Sequence, residues 1–231
     1  MKNNMLLILT TVALLSCTGT SNNEESKKVA YVQHEQIIAK QSDSVFQYLT
    51  DSDFNQIKTS LFKWFFSWEK DANNLKMSDF ELKWKKEINF DWLTYDPYDK
   101  YLMKFDTLLI YSANKLALDL YSYNTLIEIV GTKIFVGFDV DSKIYVAVKE
   151  KKTRVEIVQG GSYEIIEEGF WLDNNRVVLL GYTTEETNVP FIWVIDITTK
   201  KQISYCYKGS FKGQRSNYFL VKYPKTKLKT E

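Results

Sequence analysis

Two sulfurs, one imidazole and a few acidic pairs are the residues of this chain that could do chemistry. Cys17 follows a run of aliphatic residues directly, in Leu14-Leu15-Ser16-Cys17, where a thiolate would be open to alkylation. Cys206 lies in the alternating stretch Gln202 to Tyr207, which reads as a half-buried strand, so its sulfur is expected to pack rather than react. His34 is the single histidine, and without a cysteine pair the common zinc ligand sets cannot be assembled. A Ser, His and acid triad would have to use that same His34, and no Gly-x-Ser-x-Gly elbow accompanies it. Asp139-Val140-Asp141-Ser142 offers two carboxylates for calcium but lacks the glycine and terminal glutamate of an EF-hand loop, and a hairpin turn is the plainer reading. Glu167-Glu168 could supply paired carboxylates for sugar hydrolysis, yet neighbours on a regular strand point to opposite faces. Gly160-Gly161-Ser162 lacks the spacing of a phosphate loop and is expected to be a hairpin turn. No catalytic, cofactor-binding or metal residue is therefore assigned, and the chain is expected not to be an enzyme.

The segment before Cys17 carries Lys2 as its only charge, then an apolar run from Met5 to Leu15 broken by Thr10 and Thr11. At about 1.5 Å per residue this is too short for the roughly 30 Å hydrocarbon core and reads as an export signal over residues 1–16. An aliphatic residue three before the cysteine and a small one just before it make Leu14-Leu15-Ser16-Cys17 similar to the lipobox of bacterial lipoproteins. The resemblance implies that Cys17 receives a diacylglyceryl group, that cleavage falls before it and that its new amine is acylated. Several acyl chains on one residue anchor stably, each buried methylene contributing about 0.8 kcal/mol. The competing reading, a buried cysteine at the end of an ordinary helix, conflicts with the polar run Thr18 to Lys28, which is better suited to a flexible tether over residues 17–29.

The chain has 231 residues with 45% hydrophobic, 15% aromatic and 26% charged, proportions of a folded protein. With Lys2 removed, 29 basic residues face 29 acidic ones, so attraction to nucleic acid is not supported. Many Lys, Asn, Tyr and Ile with few Pro and His resemble lipoproteins of Bacteroidetes, which implies a lipid-anchored place in the cell envelope at the outer membrane. Glu24 and Glu25 lie further from Cys17 than is usual for acidic surface-sorting signals, so either face of that membrane stays open.

The elements that would carry a site begin with Phe54, Ile57, Leu61, Phe65 and Trp68, whose spacing predicts one amphipathic helix from Asp53 to Glu69 capped within Asp51, Ser52 and Asp53. The period then changes to two: Phe80, Leu82 and Trp84 predict one strand and Ile88, Phe90 and Trp92 another, both within a segment 30–98 that packs on a sheet. Residues 99–223 read as an antiparallel β meander whose turns Ser112 to Lys115 and Asp141 to Lys143, with the stretch Trp193 to Lys201, resemble those of β-propeller blades. Blades take about 40 residues and a closed ring needs four or more, so the expected fold is mainly β with an N-terminal helical segment and a propeller-like antiparallel meander, a full small propeller following only if residues 30–98 supply another blade. Residues 224–231 are charged and expected to be a disordered tail.

The six Trp, fifteen Tyr and fourteen Phe could line a sugar- or protein-binding surface, though core is the first expectation for Trp64, Trp68, Trp84 and Trp92. The sequence thus points to a noncatalytic binding or interaction module, held to a membrane through Cys17, with an unknown protein or glycan as ligand. A glycan-hydrolysing envelope protein and an immunity or inhibitor protein against a secreted toxin are the rival readings.

Overall fold

The computed structural model describes residues 48–68, 75–94, 105–131, 133–139, 141–184, 187–209, 211, 218–224 and 226–228. The expected signal segment and tether, with Cys17 and His34, lie outside these residues, as does the turn expected at residues 95–98. Among the described residues there are three α-helical segments: α1 (Asp51–Ser60), α2 (Phe62–Trp68) and α3 (Tyr218–Lys222). The strands are β1 (Phe80–Glu87), β2 (Leu93–Thr94), β3 (Ile110–Tyr111), β4 (Ala117–Asp119), β5 (Thr125–Val130), β6 (Lys133–Phe138), β7 (Ser142–Val148), β8 (Thr153–Gly160), β9 (Glu164–Trp171), β10 (Arg176–Thr183), β11 (Val189–Asp196), β12 (Lys201–Tyr207) and β13 (Thr226–Leu228).

The protein is mainly β, and the described strands form three sheets. The first has the order β1-β12-β11-β10-β9, the second β2-β8-β7-β4-β3 and the third β13-β6-β5. Among the described strands every pairing is antiparallel except β13 with β6. The two five-stranded sheets share one plan: four strands run up and down, and a strand from earlier in the chain, β1 or β2, pairs with the last of them. The hairpin β5–β6 is inserted into the second sheet's meander. Among the described residues the sheets do not close into a ring.

The first sheet lies in the middle, which its sequence explains. Along Val177 to Leu180 and Phe191 to Ile195 every residue is buried, so these strands have no polar face. Alternate side chains go to opposite sides. Val177, Leu179, Phe191, Trp193 and Ile195 join Leu118, Ile144, Val146, Val155 and Ile157 of the second sheet in one core. Val178, Leu180, Ile192, Val194, Ile203 and Tyr205 join Phe54, Ile57, Trp64, Phe65 and Trp68 of α1 and α2 in another. The order of layers is therefore sheet, sheet, helices.

Several expectations are corrected in detail. The single helix expected over 53–69 is two, broken at Leu61, whose φ of −114° and ψ of 31° leave the helical region; Leu61 is only partly buried while Phe54 and Phe65 meet edge to face at 5.7 Å. Its cap is Thr50, whose hydroxyl accepts from Asp53 N at 3.1 Å while the Asp53 carboxylate accepts from Thr50 N at 2.9 Å, a reciprocal capping box. Residues 88–92 are not a strand; only Leu93–Thr94 pairs, against β8. Gly160-Gly161-Ser162 is not a hairpin turn: it connects β8 of the second sheet to β9 of the first. Within 224–231, Thr226–Leu228 pairs in parallel with β6 instead of fraying.

Arg176 fastens the helical layer to the sheet. Its guanidinium donates to Asp173 Oδ2 at 2.6 Å and to Asp53 Oδ1 at 3.2 Å, and the residue is only 7% exposed. Burial alone would raise the Asp53 carboxyl, but the Thr50 bonds and Arg176 outweigh it and hold it below its ordinary value. Asp173 is lowered in the same way, burial being overcome by the Asn175 and Arg176 amides and the guanidinium. Depressed carboxyls stabilise the fold above the unfolded carboxyl range and lose that contribution as pH falls through their folded values. Arg176→Gln is expected to cost about 2 kcal/mol near neutrality. Urea midpoints measured at about pH 7 and about pH 3 should show the variant losing less stability on acidification than the parent; an equal loss would exclude this linkage.

Candidate functional site

A register shift creates the site. Leu180 pairs with Glu168 but the next residue, Gly181, pairs with Ile166, so Glu167 is an extra residue in β9, a β-bulge. Gly181 is required there, since a Cβ would come 2.2 Å from the Ile165 carbonyl oxygen and 2.6 Å from the Phe191 ring. The bulge changes what the sequence predicts for the adjacent glutamates. Both carboxylates meet donors from helices: Trp64 Nε1 of α2 donates to Glu167 Oε2 at 2.9 Å, and Tyr218 Oη of α3 donates to Glu168 Oε2 at 3.1 Å. The expectation that they point to opposite faces holds only for a regular strand.

Glu168 is 2% exposed and fully engaged. Lys222 Nζ lies 2.7 Å from each of its oxygens, and Gly169 N donates to Oε1 at 3.1 Å. Tyr218 and Lys222 are four residues apart, which puts both on one side of α3. The ammonium also lies 5.7 Å from the Tyr121 ring centre and 5.5 Å from that of Tyr223. Tyr121 donates its hydroxyl to the Glu167 carbonyl at 3.1 Å; burial first, and then the Glu168 charge, push its phenol well above its ordinary value, so it stays protonated. Asp119 fixes the loop that carries it, accepting from Tyr121 N at 3.3 Å and Ser122 N at 3.0 Å.

Beside this cluster is a cavity of about 250 Å³. The β4–β5 loop contributes Tyr121 and Asn124, the β6–β7 region Phe138, Asp139 and Ser142, the sheet-to-sheet connection Ser162, and β9 the stretch Glu164 to Glu167; Tyr182 of β10 and Phe219 of α3 complete it. The rings are locked edge to face, Tyr121 on Phe219 at 5.3 Å and Phe138 on Phe219 at 5.4 Å. Ser142 is 6% exposed and its hydroxyl has no hydrogen-bond partner among the described residues. The walls offer carboxylates, hydroxyls and aromatic faces. They can orient a small molecule, whereas Glu168 has its lone pairs committed to Lys222, Tyr218 and Gly169 and is a structural anion.

Of the other residues weighed from sequence, Cys17 and His34 lie outside the described residues. Cys206 is half-buried on β12, and burial pushes its thiol up. Asp139 and Asp141 are exposed, and among the described residues no group of three potential metal ligands gathers. Trp64 and Trp68 are core, Trp84 leans on Trp193 at 5.7 Å, and Trp92 is exposed. Tyr121, Ser142, Tyr218 and Lys222 were not legible as site residues. The i, i+4 spacing of Tyr218 and Lys222 was the one available signal, and a five-residue helix is too short to show it.

Removing one partner of a buried ion pair strands the other. Lys222→Met should cost about 3 kcal/mol in urea unfolding, and adding Glu168→Gln should recover most of it. A loss under about 1 kcal/mol for the single variant, or no recovery in the double, would contradict the role given to Glu168.

No family model, curated protein or solved structure matches this chain, so the chemistry of the site rests on its own geometry.

Proposed function

We propose that this chain is a lipid-anchored protein of the bacterial cell envelope, tethered at the outer membrane through Cys17, and that its folded part is a noncatalytic binding module whose ligand enters the cavity between β6, β7, β9 and α3. The observation that carries the binding reading is the cavity wall itself: locked aromatic rings, hydroxyls and carboxylates around about 250 Å³. Convergent polar groups in an apolar concavity are what small-molecule sites are made of. Commitment of Glu168 to Lys222 and Tyr218 favours binding over the sugar-hydrolysis reading, because general acid and nucleophile roles need an available carboxyl. The two five-stranded meanders are read as propeller-like units that pack as a pair rather than a ring.

The anchoring rests on the sequence Leu14-Leu15-Ser16-Cys17, and among the described residues no helix is long and apolar enough to cross a membrane. Radiolabelled palmitate fed to cells should enter the parent protein and not Cys17→Ser, and the variant should leave the membrane fraction. Equal labelling of both would refute the anchor. For the cavity, Ser162→Trp should release whatever the tagged parent retains from its own envelope; retention unchanged by that substitution would refute the cavity as the binding site.

A further inference from the structure

The helical layer carries aromatic residues on two sides. α2 reads Phe62-Lys63-Trp64-Phe65-Phe66-Ser67-Trp68, and only Lys63 and Ser67 in it are polar. Trp64, Phe65 and Trp68 are buried in the core between the helices and the central sheet. Phe62 and Phe66 are instead 46% and 52% exposed. Four residues apart, they share one side of the helix, and their rings stack with centroids 5.8 Å apart. Lys63, between them in sequence, is exposed as well. The solvent side of a surface helix is ordinarily polar, and a helix apolar all round is one that is covered all round.

Size and connection decide what covers it. The two half-exposed rings together offer about one aromatic side chain of surface, roughly 200 Å². A stable protein interface takes about 800 Å² from each partner, so this patch is too small to hold a second copy or another protein by itself. A bilayer contact that only supplements an anchor has no such threshold, because tethering raises the local concentration of the surface it meets. The described chain joins the helical layer at Leu49, whose amide donates to Tyr205 Oη at 3.0 Å, and α1 begins at Asp51. Cys17 precedes Leu49 by about 32 residues, so at no more than about 3.6 Å per residue a lipid on Cys17 keeps this layer within about 115 Å of the bilayer by any path. Phe rings with a lysine beside them suit a lipid interface, the rings in the acyl boundary and the ammonium among the headgroups. At about 1.5 Å per residue α2 is about 10 Å long, which fits a helix lying on a bilayer and not one crossing it.

We infer that α2 is a second membrane contact: with the chain held by lipid at Cys17, Phe62 and Phe66 enter the acyl boundary of the same bilayer and Lys63 meets its headgroups. The helical layer then faces the membrane and the second sheet, across the central one, faces away. This rests on the reading of Cys17 as the lipid anchor.

The acylated protein, purified from membranes and reconstituted into vesicles of phosphatidylethanolamine and phosphatidylglycerol, tests it. Acylation occupies the Cys17 sulfur, so in a Cys206→Ser chain one nitroxide can be placed by Phe66→Cys, or by Lys151→Cys in the exposed β7–β8 turn as a reference. The ratio of relaxation by oxygen to relaxation by a water-soluble nickel chelate should be about fivefold higher at residue 66 than at residue 151, as expected about 5–10 Å below the headgroups. Adding Phe62→Ser should lower the ratio at residue 66 about twofold. Phe62→Cys provides the same reading if the labelled Phe66→Cys chain lacks a cooperative thermal transition. Equal ratios at residues 66 and 151 on vesicles that carry the acylated protein would overturn the inference and leave the anchor reading standing. Protection of residue 66 from both reagents would place it against protein and would equally overturn the inference. A parent chain that carries no acyl mass and does not float with vesicles would overturn both.

Discussion

The central constraint on this fold is that one sheet has no face that water can tolerate. Val177 to Leu180 of β10 and Phe191 to Ile195 of β11 are apolar and buried at every position, so both surfaces of the sheet must be covered. The second sheet covers one, through Leu118, Val146 and Val155, and the helices α1 and α2 cover the other, through Phe54, Trp64 and Phe65. Each fully buried side chain of this kind is worth about 1.5–3 kcal/mol. The polar contacts that decorate the layers, such as Leu49 N to Tyr205 Oη at 3.0 Å and Gln56 Nε2 to the Leu172 carbonyl at 3.0 Å, orient the helices rather than recruit them.

A layered fold with tight registers has few places to put a cavity, and here a bulge opens one. The extra residue at Glu167 bends the end of β9, and Gly181 and Gly160 permit the close backbone approach on either side. The inserted hairpin β5–β6 and the short α3 then wall the space. Rigid strands at the back and a turn at the front give it both fixed side chains and access, a common division of labour in binding proteins.

The ion pair of Glu168 and Lys222 illustrates how the site is held. Taking a carboxylate out of water is costly, and here four donor contacts offset the cost: two from the ammonium, one from Tyr218 and one from the Gly169 amide. The pair ties α3 to the edge of the central sheet. Phe219, on the same helix, is thereby held against Tyr121 and Phe138 at the cavity wall. Charge and packing thus specify a single position for a helix that is too short to be stable alone.

Local chemistry was readable from the sequence wherever one segment decided the outcome. Period-two patterns placed β1 and β12, and the aromatic stripe placed the helical layer. The proposal that Cys17 carries lipid rests on the adjacent residues Leu14-Leu15-Ser16-Cys17 and on no fold at all. What needed the tertiary structure is everything set by pairing between distant segments. A register shift between β9 and β10 turned Glu167 and Glu168 toward donors 103 and 50 residues away, in Trp64 and Tyr218. The sequence-adjacent glycines at 160 and 161 became a passage between sheets because β8 and β9 found different neighbours. Spacing along a chain encodes which face a side chain takes in a regular element. It carries no term for a bulge, for the partner a strand chooses, or for a cavity, since these arise only when separate segments are brought together and one of them fails to fill the space.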